Sequence, residues 1–353
     1  MTAKIRFGII GCGVIGLTHA AAIQSLPDAE LIAVADVIPA SAHKLAEQYH
    51  VTAYENAQEL LTHEHLDVVE ICTPSGMHGE FAILAMRAGC NVIVEKPMEI
   101  THERMLEMLA VQRETGVKLA VVSQHRFDEA SIQVHKLLTE RALGRLVLGN
   151  AAIPWWRSQQ YYDSGAWRGT RELDGGGILM NQSIHAIDIL QWLMGRVKTI
   201  KAYTDTLVHD METEDVAVAV LRFESGALGT ISATTGAYPG VTTRIEVYGN
   251  QGSAIIEADK LGYLHLARDE QEAAGAYGGG GNQAAPVESV DTSTTSDPAA
   301  LSANTHALQI ADMMAAIREG RAPLVDGEAA RHPVEIILGI YESARTGKEI
   351  TLS

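Results

Sequence analysis

Three polar side chains interrupt an apolar segment of this chain at a spacing that suits acid–base chemistry. Residues 174–194 are rich in Ile, Leu and Met, which predicts one helix with Asn181, His185 and Asp188 at i, i+4 and i+7. Polar groups in a buried helix need partners or water. The stripe therefore belongs either to a satisfied core network or to an open cleft. In a cleft, His185 could take the proton of an alcohol. No thiol or second His stands at ligand spacing beside it, so no metal site is predicted.

A lysine stands where a second catalytic group would be useful. Glu95-Lys96-Pro97 follows the apolar segment 91–94, which predicts that Lys96 lies at the carboxyl end of a central strand. Its ammonium group could stabilise a developing alkoxide, and partial burial would lower its pKa toward use as an acid or base. The alternative is a surface lysine that caps a strand end.

Aromatic and arginine side chains are concentrated just before the apolar helix. Three of the four Trp lie in this segment. Aromatic faces and guanidinium groups suit the C–H faces and hydroxyls of a sugar ring. A hydrophobic lid or a subunit interface is the alternative. The candidate substrate-binding residues here are Trp155, Arg157, Tyr161, Trp167 and Arg168.

The N-terminal segment contains a dinucleotide-binding motif in its full context. A strand at 5–10 runs into Gly11-Cys12-Gly13-Val14-Ile15-Gly16, a helix follows, and a second strand ends at Asp36. Gly11 permits a tight turn, Gly13 lets a pyrophosphate approach the backbone, and Gly16 permits close helix packing. Val14 and Ile15 stand at the start of the helix, whose free N–H groups suit the phosphates. Asp36 suits ribose hydroxyls and repels a 2′-phosphate, so NAD is expected rather than NADP.

The elements that would position these residues fall into two patterns. Up to about residue 123, strands at 5–10, 31–35, 68–72, 91–94 and 118–122 alternate with helices, which predicts an α/β Rossmann domain over 1–123. Residues 124–353 read as an α+β domain with a large open, mostly antiparallel sheet for substrate binding and oligomerisation. Residues 269–300 are rich in Gly, Ala, Ser and Thr, which predicts a mobile surface loop.

Composition excludes several classes of partner. The formal net charge of −17 argues against nucleic acid and anionic membrane surfaces. The chain contains no run of 18 apolar residues, so no membrane span is predicted. The three cysteines Cys12, Cys72 and Cys90 suggest reduced thiols in a cytoplasmic protein.

Taken together, the motifs of this chain resemble those of the glucose–fructose oxidoreductase / inositol dehydrogenase / rhizopine catabolism (Gfo/Idh/MocA) family. The resemblance rests on the glycine motif with Asp36, on Thr73-Pro74 followed by His78, on Glu95-Lys96-Pro97, and on Gly175-Gly176-Gly177 followed by Asn181, His185 and Asp188. It implies hydride exchange between a sugar or cyclitol and NAD, with Lys96 at the reacting hydroxyl and His185 as proton acceptor or donor. It also implies cofactor contacts at Thr73, Pro74, His78 and Glu95, a cis Lys–Pro bond, and a homodimer or homotetramer formed through the C-terminal sheet.

The resemblance leaves the substrate open. Many members carry Asp where this chain has Asn181, and the local segment looks more like the branch that acts on sugars and sugar nucleotides. We expect a pyranose or glycoside lying between the nicotinamide and the aromatic loop, with Gln124 at the end of the last Rossmann strand as a further contact. A UDP-N-acetylglucosaminuronate-type 3-dehydrogenase or a cyclitol dehydrogenase is the alternative, and a non-catalytic NAD-binding regulator is the alternative of another class.

Overall fold

The structure is a computed structural model that describes residues 3–267, 279–285 and 303–352. Most of the loop predicted at 269–300 lies outside the described residues. The α-helices of the described chain are α1 (Val14–Ser25), α2 (Pro39–Tyr49), α3 (Ala57–His63), α4 (His78–Arg87), α5 (His102–Thr115), α6 (Glu129–Thr139), α7 (Gln159–Asp163), α8 (Ile184–Met194), α9 (Ala303–Glu319) and α10 (Gly327–Thr346).

The strands form two separate sheets. Their bounds are β1 (Ile5–Ile10), β2 (Ala29–Ala35), β3 (Thr52–Tyr54), β4 (Val68–Ile71), β5 (Asn91–Val94), β6 (Leu119–Val121), β7 (Leu146–Pro154), β8 (Val197–Asp205), β9 (Val216–Phe223), β10 (Leu228–Thr234), β11 (Arg244–Gly249), β12 (Gly252–Glu257), β13 (Lys260–Leu266) and β14 (Ile350–Thr351).

The chain divides into two compact units, and it crosses between them more than once. Among the described residues, the first unit contains 3–124, 172–175 and 303–334, and the second contains 125–171, 176–267, 279–285 and 335–352. The sequence-based division at 123/124 lies next to the first crossing, but it assigns 303–334 to the second domain. Those residues belong to the first unit because the apolar face of α9 needs a core to cover it: Ile310 and Met313 share a buried cluster with Phe7 and Ile23.

The first unit is built around a parallel sheet of six strands in the order β3-β2-β1-β4-β5-β6. This is the doubly wound order of dinucleotide-binding domains. The strands end in register, since Ile10 pairs with Ile71, Ile71 with Val94, and Val94 with Val121. The segments that follow β1, β4, β5 and β6 therefore emerge at one edge of the sheet.

The second unit contains a mixed sheet of eight strands in the order β13-β12-β11-β7-β10-β9-β8-β14. Only β7 and β10 pair in parallel, so the predicted fold class is confirmed. Along β9 the side chains alternate: Ala217, Ala219 and Leu221 are buried, whereas Val218 and Val220 are exposed. One face of this sheet is thus the core of the unit. None of the helices in the described chain is long and apolar enough to cross a membrane.

Candidate active site

The glycine turn after β1 has the geometry that a dinucleotide requires. Gly11 adopts φ +102°, and a Cβ on it would lie 2.5 Å from the backbone of Cys72. A Cβ on Gly16 would lie 2.2 Å from the carbonyl oxygen of Gly11, so the helix packs directly on the turn. At Gly13 a Cβ would meet nothing within 4 Å, which leaves room for a phosphate beside the backbone. Helix α1 begins with Val14 and Ile15. Gly13 stands at the N-cap position and has no side chain that could accept from the N–H groups of the first turn, so these groups suit an anion.

Asp36 is held in front of this turn. Its Oδ2 accepts from the backbone N–H of Cys12 at 2.7 Å, and its Oδ1 accepts from that of Ile38 at 2.8 Å. An ionised carboxylate has about four acceptor positions, so these two bonds orient the group and leave capacity for two ribose hydroxyls. The residues present at this turn therefore fit NAD.

His78 joins two of the loops at the carboxyl edge of the first sheet. Its imidazole is buried, with Nδ1 2.7 Å from the carbonyl oxygen of Pro97 and Nε2 2.9 Å from that of Thr73, the residue before Pro74. Burial lowers the pKa of His78, and the two carbonyls oppose that shift. Both ring nitrogens are engaged inside the protein, so the side chain of His78 holds the two loops together, and the cofactor contact at His78 stays a prediction.

Lys96 lies at the same edge, directly after β5. The Lys96–Pro97 bond is cis, as the family resemblance implies, and Lys96 is half-buried. Glu95 is buried, and its Oε2 accepts from the backbone N–H of Lys96 at 3.0 Å. Glu95, predicted to contact the cofactor, is thus turned inward toward the protein. Gln124, in the turn after β6, is also buried, and its Oε1 has no hydrogen-bond partner among the described residues. A buried acceptor of this kind is suited to a ligand.

The segment predicted as one helix over 174–194 is divided in two. Ile178–Ser183 forms a π-helical turn, and α8 starts only at Ile184. Glu214 anchors the turn: its carboxylate accepts from the N–H groups of Gly177 and Leu179 at 3.1 and 3.0 Å, and from the hydroxyl of Tyr341 at 2.9 Å. A Cβ on Gly177 would lie 1.9 Å from the carbonyl oxygen of Glu214, which explains the glycine there. Burial raises the pKa of Glu214, although these donors oppose the shift.

The three polar residues of this segment have different surroundings. Asn181 lies in the π-helical turn and is half-buried, so the stripe predicted for a regular helix does not continue through it. His185 is half-buried in the first turn of α8. Asp188 is buried, and Arg126 donates to both of its oxygens at 2.7 and 2.5 Å. The carboxylate thus anchors α8 to Arg126, and its contact with substrate stays a prediction.

A second histidine stands beside His185. The rings of His125 and His185 meet edge to face with centroids 5.2 Å apart. Nδ1 of His125 lies 2.7 Å from Asp128 and 3.3 Å from Asp259. Burial alone would lower the pKa of His125, but Asp259 and Asp128, with a smaller effect of Asp188, raise it to about 9. The neighbour of His185 is thus an imidazolium at neutral pH.

The aromatic cluster forms a ladder in which rings and guanidinium groups alternate. Arg157 lies 5.2 Å from the Trp155 ring and 5.3 Å from the Tyr161 ring, and Arg168 lies 4.4 Å from the Tyr161 ring and 4.5 Å from the Trp167 ring. Arg168 also donates to the hydroxyl of Tyr161 at 2.8 Å. The structure therefore brings all five predicted wall residues into one stack, in which Arg157 is buried and the other four are half-buried.

Comparisons with known proteins agree with the geometry of both units. Residues 5–123 match the family model for an oxidoreductase family with an NAD-binding Rossmann fold, and residues 131–255 match that for a GFO/IDH/MocA C-terminal domain. Inositol 2-dehydrogenase of Rhizobium meliloti is 31% identical over 74% of this chain and 78% of that protein. D-glucoside 3-dehydrogenase of Escherichia coli is 32% identical over 58% of each chain.

A solved structure extends the similarity to the whole chain. The WlbA dehydrogenase from Bordetella pertussis, in complex with NADH and UDP-GlcNAcA, is 30% identical, covers 99% of both chains and superposes with a TM-score of 0.86. The predicted resemblance and the predicted NAD-binding fold are confirmed by these matches.

Proposed function

We propose, because this chain belongs to the GFO/IDH/MocA family of NAD-binding oxidoreductases, that it is an NAD-dependent dehydrogenase that oxidises a hydroxyl-bearing ring carbon of a sugar. One observation carries the proposal. The glycine turn after β1 and Lys96 after β5 emerge at the same edge of one parallel sheet, whose strands end in register. The positively charged side chain of Lys96 therefore starts from the edge at which a doubly wound sheet binds its ligand.

The chemistry divides between two side chains. Oxidation of an alcohol removes a hydride from carbon and a proton from oxygen, and bound NAD supplies the hydride acceptor. The ammonium group of Lys96 would stabilise the negative charge that develops on the alcohol oxygen. His185 would take the hydroxyl proton through an imidazole nitrogen and, being half-buried, return it to solvent.

The ladder supports a sugar ring as substrate. Aromatic faces suit the C–H faces of a pyranose, and guanidinium groups suit its hydroxyls or an attached anion. Asn181 offers a neutral amide, which both donates and accepts hydrogen bonds. The named relatives act on an inositol and a D-glucoside, and a UDP-sugar is bound to the third. A free or glycosidic pyranose is the substrate we propose, with a UDP-sugar acid or a cyclitol as the alternatives.

Turnover on a small panel tests the proposal. The purified protein is incubated with NAD and, in turn, D-glucose, methyl D-glucoside, myo-inositol and UDP-GlcNAcA, and formation of NADH is followed by absorbance. Turnover of at least one member is expected, and Lys96→Met should lower it by about 10²- to 10³-fold, to a residual rate that can still be measured, while NADH still binds. NADH binding without turnover of any member would favour the non-catalytic regulator.

The exposed face of the second sheet supports assembly through a second copy of this chain. Tyr203, Val218 and Val220 are 76%, 51% and 53% exposed, and Tyr203 pairs directly with Val218 across β8 and β9. Apolar side chains that are exposed on one face of a sheet favour burial against a partner. Sedimentation velocity should show a dimer or tetramer that Val218→Lys converts to smaller species, whereas Leu106→Lys on α5 should not. A wild-type monomer at micromolar concentration would contradict the assembly.

A cytoplasmic site of action completes the proposal. The three cysteines are free, which suits a reducing compartment. Fractionation of cells that express the native gene would test it, and recovery outside the cytoplasm would contradict it.

A further inference from the structure

We propose that helix α9 is a positioning element of the dinucleotide domain, in which His306 and Gln309 hold the two loops that carry Lys96 and Gln124. The inference rests on the proposed function in one respect: the expected changes in kcat presume that Lys96 takes part in the dehydrogenase reaction. It assigns a role in the reaction to a helix that follows the Rossmann strands by almost 200 residues and that neither the glycine motif nor the Glu-Lys-Pro motif contains.

The first contact lies under the loop after β5. His306 is buried, and its Nε2 lies 3.7 Å from Oε1 of Glu95. The same oxygen lies 2.9 Å from Nε2 of His19 on α1, and the other oxygen of Glu95 accepts from the N–H of Lys96 at 3.0 Å. One carboxylate thus links the backbone of Lys96 to the dinucleotide-binding helix and to α9.

The second contact lies under the loop after β6, one helical turn along α9. Nε2 of Gln309 donates to the carbonyl oxygen of Val121 at 2.5 Å, and its Oε1 accepts from the N–H of Ser123 at 2.9 Å. Ser123 precedes Gln124. Because His306 and Gln309 stand at i and i+3, they lie on one face of α9, and that face serves two neighbouring strand ends.

Charge balance explains why the network would be rigid. His19 lies 2.5 Å from Glu70 as well as 2.9 Å from Glu95, and both partners are buried. Burial alone would lower the pKa of His19, but the two carboxylates raise it to about 10. Burial opposes ionisation of Glu95, yet the hydrogen bond from His19 and the nearby ring of His306 hold its pKa well below the usual range. The imidazolium of His19 thus lies between two buried carboxylates, so loss of His19 would leave both without an opposite charge.

The test variants replace residues on the buried face of α9, and the control variant replaces a residue on its exposed face. His306→Leu removes the ring nitrogen under Glu95, His306→Gln restores an N–H near the position of Nε2, and Gln309→Leu removes both bonds to the β6 loop. Leu308→Ala on the exposed face is the control. His306→Leu is expected to lower kcat by about 10- to 100-fold, as misplacement of a reacting group by about 1 Å does, with little change in the Kd for NADH. His306→Gln is expected to recover most of kcat.

A double-mutant cycle separates positioning from general destabilisation. If His306 acts through Lys96, His306→Leu should cost little further rate in a Lys96→Met background, so the two effects are not additive. Equal fold-losses in both backgrounds would overturn the proposal. So would stoichiometric divalent metal in the purified protein that His306→Gln removes, because His19, Glu95 and His306 are close enough to share an ion.

Hydrogen exchange gives a readout that needs no substrate. In His306→Leu the peptide that contains the Lys96 amide should exchange faster than in wild type, and in Leu308→Ala it should not. Unchanged exchange in both His306→Leu and Gln309→Leu would overturn the positioning role even for an active enzyme. If no sugar is oxidised but exchange at Lys96 rises, the proposed function fails and the positioning role stands.

Discussion

His185 is the residue whose replacement tests the acid–base assignment most directly. General acid–base catalysis typically contributes about 10²- to 10⁴-fold, so His185→Gln should lower kcat by a factor in that range. The Kd for NADH should be nearly unchanged, because we assign cofactor binding to the glycine turn and Asp36. Steady-state kinetics and NADH fluorescence titration check both expectations. His43→Gln on the exposed side of α2 is the control. A His185→Gln protein that folds and retains full kcat would show that the histidine is structural.

We expect Asp36 to set the preference for NAD over NADP. Asp36→Asn keeps an acceptor for the N–H of Cys12 but removes the charge that ribose hydroxyls bond. A hydrogen bond to a charged group is worth about 1.5–3 kcal/mol, which corresponds to about 10- to 100-fold in the Kd for NAD. Affinity for NADP should fall less, because repulsion of the 2′-phosphate is relieved. Titration of both cofactors measures the gap, with Glu47→Gln as the control. A wild-type kcat/KM higher for NADP than for NAD would contradict the assignment.

Residue types predicted the site better than they predicted the role of each residue. The glycine turn, Asp36 and Lys96 could be predicted because each depends on its neighbours along the chain. The partners of His78 and Asp188 could not, because Pro97 and Arg126 are brought to them only by the fold. Glu214 gave no local signal either: it lies in the loop before β9, and the two residues whose N–H groups it accepts from stand 37 and 35 positions earlier in the chain.

Helices and strands could be predicted where their own residues determine them, and not where distant parts of the chain do. Strands with long apolar or alternating segments were predictable, whereas β3 and β14 have only three and two residues and depend on the strands beside them. The π-helical turn could not be predicted because the apolar residues of 178–194 fit a regular helical period. The start of the turn is held by the carboxylate of Glu214, which accepts from the N–H groups of Gly177 and Leu179 and lies far along the chain.

His125 connects two elements of the second unit, and its pKa makes that connection sensitive to pH. Asp128 precedes α6 and Asp259 forms the turn between β12 and β13. The folded state raises the pKa of His125 from 6.5 to about 9. Its contribution to stability is therefore fully present below pH 6.5 and is lost as the pH rises through about 9.

We expect His125→Gln to lower the urea midpoint of unfolding at pH 6 and to have a smaller effect at pH 9.5. Tryptophan fluorescence measures this in the second unit alone, because all four Trp lie there. His43→Gln should leave the midpoint unchanged at both values. An effect of His125→Gln that is the same at pH 6 and pH 9.5 would contradict the ionic contribution.

For the whole molecule, net charge and local charge make opposite contributions to substrate capture. The chain carries a formal net charge of −17, which repels an anionic sugar over long distances, whereas Arg157 and Arg168 attract it at contact. Salt at about 0.15 M screens charges that lie more than about 8 Å apart, and it screens partly buried groups much less. Arg157 is buried within the ladder, so its attraction should resist salt better than the repulsion does.

The kcat/KM for UDP-GlcNAcA should therefore rise when NaCl is increased from about 10 mM to about 150 mM, over which the Debye length falls from about 30 Å to about 8 Å. The kcat/KM for methyl D-glucoside should stay constant, because a neutral substrate feels neither charge. Both are measured at saturating NAD, so that the salt dependence of cofactor binding does not enter. Arg168→Gln should lower kcat/KM for the anionic substrate at every salt concentration and leave its upward trend in place. A kcat/KM for UDP-GlcNAcA that falls with salt would mean that the arginine ladder, rather than the net charge, governs the approach of the substrate.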